Sequence, residues 1–147
     1  MGIRRQAREL AMQALFCMDM SASFSAEMLE EYRGCFPPGK REQPFFKRIV
    51  MGVLENKADI DRTIERYSSN WKVRRMACVD RNVLRMAVWE MLYCEDIPAK
   101  VSINEAIDIG KKFGSSESGA FINGILDSIH LALQNGQLQP IAPAPVV

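Results

Sequence analysis

Apolar residues recur along this chain at spacings of three and four, and no stretch sustains the every-second-residue alternation of a half-buried strand. Over residues 3–20, Ala7, Leu10, Ala11, Ala14, Leu15 and Met18 form an unbroken stripe, which predicts an amphipathic first helix. Arg5, Arg8, Met12 and Phe16 step by three, four and four along its other side. The spacing predicts an exposed face on which an aromatic and a methionine share a line with arginines. Ser25 is placed to cap a short helix carrying Met28, Leu29 and Tyr32, and the paired prolines and glycines of 34–39 predict a loop. Pro44 suits the first turn of a third helix, whose apolar face runs through Phe46, Ile49, Val50, Val53, Leu54, Ile60, Ile64 and Tyr67. Asn56 and Asp59 mark a candidate break in it, leaving open one helix or two.

A basic connector, 71–76, carries Lys72, Arg74 and Arg75. The helix that follows, from about Val79 to Cys94, buries Val83, Leu84, Ala87, Val88, Met91 and Leu92 and is apolar on both flanks, which predicts a central position. The stretch 101–129 reads as two helices joined by a short polar turn. Ser102 and Glu105 have the spacing of a capping box, Gly114 is placed as a left-handed C-cap, and a second stripe follows at Phe121, Ile125, Leu126 and Ile129. Residues 134–147 are rich in proline and alanine and are expected to be disordered. The pattern predicts an all-α fold of six or seven helices in one domain over 1–133, with no internal repeat.

The 147 residues suffice for one real core, and a net charge of +1 means that attraction to a polyanion must come from a local patch. With no run as apolar as a membrane span and no signal-peptide core, a cytoplasmic location is expected. Four cysteines at 17, 35, 78 and 94 form no C-x-x-C pair and His130 is the single histidine, so neither a metal site nor a Cys–His nucleophile is expected. The cysteines read as small buried hydrophobes. No phosphate loop, dinucleotide fingerprint or nucleophile elbow occurs, and carboxylate pairs such as Glu30–Glu31 and Asp59–Asp61 read as solvated helix faces. No cofactor and no catalytic residue are expected.

Binding chemistry has two candidate locations. Arg4, Arg5 and Arg8 open the first helix, where the backbone dipole favours acids, so an anionic partner would compensate them. Phe16, on the same line, offers a stacking surface for an unpaired base. On the residues alone the plainer alternative weighs more: a solvated terminus, with Phe16 packed on a neighbouring helix. The second location is the corner holding Lys111, Lys112, Phe113, Glu117 and Phe121, whose Ser- and Gly-rich turn offers backbone N–H groups to a phosphate or carboxylate. There too the dipole accounts for the lysines and core packing for the aromatics.

Three blocks in order, RRQARELAMQALF, VDRNVLRMAVWEML and DIPAKVSINEAIDIGKKFGSSESGAFINGILDSI, resemble the transcription antitermination factor NusB family over residues 4–129. The resemblance implies two packed three-helix bundles and a non-enzymatic role. It implies binding of the boxA element of nascent ribosomal RNA together with NusE, a small-subunit ribosomal protein, and assembly with other Nus factors on RNA polymerase. RNA contacts would fall on Arg4, Arg5, Arg8, Phe16, Arg85, Glu117 and Phe121, and NusE contacts around Asp80 and Arg81. Gln6 and Phe16 stand where relatives have arginine and tyrosine, which implies weaker RNA binding without the partner. Two other readings are a NusB-like domain of a ribosomal RNA methyltransferase, against which stands the lack of a methyl-donor loop, and a homodimer using exposed Met12 and Phe16.

Overall fold

A computed structural model describes residues 2–69 and 71–141. Among them are six α-helices and one 3-10 turn, and no strand: α1 (Ile3–Met20), α2 (Ala26–Cys35), α3 (Gln43–Arg66), the turn Val73–Arg75, α4 (Cys78–Tyr93), α5 (Ala99–Phe113) and α6 (Ser118–Gln134). Helices α1–α3 pack as one trio and α4–α6 as another, and α4 joins them by lying against α1 and α3 as well as α5 and α6. Every residue of 82–92 is buried. A helix buried on all faces cannot place its polar groups in water, so Asn82, Arg85 and Glu90 require partners inside the protein.

Local sequence accounts for several boundaries. Ser25 Oγ accepts the Met28 N–H at 3.2 Å, capping α2, and Pro44 sits in the first turn of α3. The break in α3 falls at Asn56, whose φ of −123° is non-helical and whose side-chain amide donates to the Gly52 carbonyl at 2.8 Å. One turn earlier Gly52 meets Trp89 of α4 so closely that a Cβ would overlap the indole ring. That glycine sets the α3–α4 spacing.

Other expectations are corrected. Pro98 starts α5 one turn early, so Ser102 and Glu105 form no capping box. Ser102 is buried and donates to Glu90 Oε1 at 2.9 Å, while Glu105 serves Arg5 and Arg8. Gly114 has φ −98°, not a left-handed angle; glycine is needed because a Cβ would lie 2.7 Å from the Gly110 carbonyl and against Ser118 Oγ. Of the cysteines only Cys94 is buried, whereas Cys17 and Cys35 are exposed. Met12 is buried, which removes it from any homodimer surface. Nor is the chain disordered from 134: α6 includes Gln134, Leu138 packs on the core, and the Ile141 N–H donates to the Leu92 carbonyl at 2.8 Å. The remainder of that expected tail, 142–147, lies outside the described residues.

Candidate nucleic-acid interface

Ion pairs bridge the first turns of α1 to α5. Arg5 pairs with Glu105 and with Asp108 at 2.8 Å, and Lys112 reaches Glu9 at 2.7 Å. Hydrogen bonding to Glu105 raises the Arg5 pKa against the opposing effect of burial, with Asp108 adding to the rise. Arg4 lies over the Phe45 ring, 4.8 Å from its centroid, and 3.5 Å from Asp96. The first-helix arginines are therefore not an open row of cations, because each has a carboxylate of this chain beside it.

Arg8 departs furthest from expectation. Its guanidinium is buried and bidentate on Glu90, at 2.9 Å from Nε and 2.7 Å from Nη2, with Nη1 on Glu105 at 3.3 Å. The three-four-four step places Arg8 where α1 crosses α4, since the contact surface is wider than the apolar stripe. Arg85 is likewise internal: it donates to Asp61 at 2.8 and 3.1 Å, to Asp19 at 3.0 Å and to Asn82 Oδ1 at 3.0 Å. Arg81 holds Asp19 by two bonds of 2.6 Å and reaches the carbonyls of Arg74 and Met76. Burial raises the Asp19 pKa, but hydrogen bonds from Arg81 and Asn82 and the charges of Arg81 and Arg85 outweigh it and hold the carboxyl below its ordinary value. Arg8, expected on an exposed face, is thus buried, Arg85 is buried with internal carboxylate partners, and Arg81 spends most of its donors inside the chain.

Exposed chemistry gathers at the other end of α1. Phe16 lines a cleft of about 360 Å³ with Gln13, Tyr32, Phe36, Val79 and Phe113. A second cleft of about 300 Å³ is lined by Trp71, Arg75, Asp80, Ser115, Glu117 and Phe121. Both border the first turn of α4, through Val79 and Asp80, and the α5–α6 connection, through Phe113 and Ser115. So Phe16, Glu117 and Phe121, from three distant parts of the chain, come to one surface. Arg4 and Arg5 stand on the same helix but about 17 Å further along its axis. Serine hydroxyls stabilise the α5–α6 turn: Ser118 Oγ accepts the Ser115 N–H at 2.9 Å and Ser115 Oγ accepts the Glu117 N–H at 3.3 Å. These bonds occupy part of the donor set expected to be free there.

The second cleft holds Trp71, which sequence reasoning passed over, and Asp80, which the resemblance placed against NusE. Trp71 is 56% exposed, beside cations whose helical neighbourhood gave no reason to single it out. Asp80 is only 8% exposed, and its Oδ1 has no hydrogen-bond partner among the described residues. A buried acceptor left unpaired costs about 1–3 kcal/mol, so a donor brought into this cleft would find a prepared partner.

A family model described as the NusB family matches residues 5–131. The chain is 56% identical over 133 residues to the transcription antitermination protein NusB of Desulfatibacillum aliphaticivorans, covering 90% of this chain and 93% of that protein. Against the protein of the same description from Myxococcus xanthus, identity is 45% over 137 residues, covering 90% and 98%. Among solved structures it is similar to T. maritima NusB, with a TM-score of 0.76, 37% identity and coverage of 92% and 97%. A structure of the antitermination factors NusB and NusE in complex with double-stranded RNA matches with a TM-score of 0.78, 25% identity and coverage of 88% and 97%. By its helices, their packing and its sequence, this chain belongs to the NusB family.

Proposed function

We propose that this protein is a non-enzymatic, cytoplasmic transcription antitermination factor that binds a boxA-type RNA segment together with NusE and joins the Nus factors on RNA polymerase. The observation that carries the reading is the pair of clefts that flank the first turn of α4. Phe16 and Phe121 offer faces to unpaired bases, Glu117 and Asp80 offer acceptors to base amino groups, and Arg4 and Arg5 lie further along α1 for the backbone. The carboxylates beside Arg4 and Arg5 lower their net attraction to phosphate, so NusE has a physical role in supplying the affinity this chain alone lacks. Similarity to a NusB solved with NusE and RNA supports the same assignment. Arg8 and Arg85 act from within, by fixing α1 and α4, and Arg81 anchors the start of α4 while Asp80 presents its acceptor to RNA or NusE.

The test is a gel shift of boxA RNA with the wild-type chain, alone and with NusE. Phe16→Ala and Phe121→Ala should each weaken the complex by the equivalent of about 1–3 kcal/mol, measured below each variant's unfolding midpoint because both rings are half-buried against the core. Arg5→Ala should have a smaller effect, since its loss also releases Glu105 and Asp108. Wild-type affinity in both phenylalanine variants would refute the site.

A further inference from the structure

We propose that the connector between α3 and α4 is a second RNA-binding segment, which takes nucleotides flanking the boxA core. It stacks one base on Trp71 and holds phosphates with Lys72, Arg74 and Arg75. The inference rests on the RNA-binding reading above and extends it to residues to which neither that reading nor the family resemblance assigns contacts.

The first ground is the distribution of unpaired charge. Every arginine of α1 has a carboxylate of this chain within 4 Å, as do Arg81 and Arg85. Lys72, Arg74 and Arg75 are exposed and form no ion pair among the described residues. Three uncompensated cations thus fall within four consecutive residues of a chain whose net charge is +1. This is the local patch that a polyanion requires.

The second ground is rigidity. The Val73 N–H donates to Glu65 at 2.9 Å, Ser68 Oγ donates to the Trp71 carbonyl at 2.9 Å, and Arg81 holds the carbonyls of Arg74 and Met76. Val73 and Met76 are buried as anchors between the exposed residues. With the backbone fixed at both ends and the middle, little ordering entropy remains to be lost when a ligand binds the outward side chains.

Position is the third ground. Trp71 and Arg75 line the cleft that holds Phe121, Glu117 and Asp80, while Lys72 and Arg74 line the neighbouring cleft of about 740 Å³ beyond the connector. A strand leaving Phe121 therefore meets an exposed indole first and unpaired cations next, the alternation of stacking platform and charge that suits single-stranded RNA. An acidic peptide would use the cations but would not need the indole.

The protein carries its own reporter. Trp71 is 56% exposed and the other tryptophan, Trp89, is 5% exposed, so quenching of the accessible fluorescence reads Trp71. The full chain with NusE is titrated with the boxA core alone and with the core extended by about six nucleotides, the span of a small single-strand site, at the 5′ or the 3′ end. One extension should quench Trp71 and bind more tightly than the core. Trp71→Ala should weaken that longer complex by about tenfold, and Lys72→Glu/Arg74→Glu should weaken it further and flatten its salt dependence, the double variant leaving core affinity and the unfolding midpoint unchanged. Equal affinity for core and both extended RNAs, with no quenching, overturns the proposal while leaving the antitermination reading intact. Failure to bind even the core with NusE present overturns the reading on which the proposal rests. Loss of NusE binding by the Lys72→Glu/Arg74→Glu variant in the absence of RNA would show the connector to be a protein-docking segment instead, and also overturns it.

Discussion

Replacing Arg8 with methionine separates an internal support from an RNA ligand. Arg8 and Glu90 have side chains 3% and 2% exposed, and among the described residues their bidentate pair is backed by Ser102 and Glu105, with the Arg8 guanidinium over the Phe45 ring. Removing the guanidinium leaves the Glu90 carboxylate buried with the Ser102 hydroxyl as its remaining donor. The cost of such an uncompensated buried charge is about 3–5 kcal/mol, a large part of the roughly 5–15 kcal/mol that holds a domain folded. For a chain of this length the unfolding midpoint should drop by roughly 6–20 °C. The double variant Arg8→Met/Glu90→Met removes both charges from the same space and should recover most of that loss, because well-packed apolar replacements of buried pairs are often near neutral. Urea unfolding of the two single variants and the double variant closes the thermodynamic cycle, and the coupling between the two positions is the quantity that decides. RNA titrations below the unfolding midpoint should show an unchanged salt slope in Arg8→Met. If instead its stability changed by less than about 1 kcal/mol and its salt slope fell by the roughly 0.7–0.9 of one phosphate contact, Arg8 would be an RNA ligand and the buried-pair argument would be refuted.

Gly52→Ala should destabilise the protein by about 1–3 kcal/mol, because the added methyl meets the rigid Trp89 indole; denaturant unfolding should show this loss shrinking in a Trp89→Phe background. The Asp19 carboxyl titrates below its ordinary value, so the stability it contributes is complete above the unfolded pKa of roughly 4 and is lost as pH falls through the lower folded value. Asp19→Asn should therefore be less stable than wild type at pH 7 and lose less on acidification; parallel acid limbs in thermal melts would contradict this. Burial pushes the Cys94 thiol up to about 11, whereas Cys17 and Cys35 are exposed. Mass-resolved alkylation at neutral pH should modify Cys17 and Cys35 first and reach Cys94 only on unfolding.

The helices were legible in the sequence because each stripe of apolar residues is periodic on its own scale. Ser25 and Pro44 marked starts through bonds made within a single turn, and Asn56 marked a break by competing locally for a backbone carbonyl. The residues that bring Phe16, Glu117 and Phe121 to one surface were also visible, though their meeting was not, since nothing in the stripes sets how α1 and the α5–α6 turn lie against the start of α4. What tertiary structure alone decided is the state of the charges. Helical spacing cannot distinguish an arginine facing water from one facing a carboxylate far away in the chain, so Arg8 read as part of an exposed face although Glu90 lies against it, and the resemblance that pointed to Arg85 carried no sign of Asp19 and Asp61. Ser102 and Glu105 fit a local cap by spacing and yet belong to the same internal network, because α5 begins a turn earlier at Pro98. Electrostatic partners are chosen by distance in space, and distance in space is what a one-dimensional pattern does not contain.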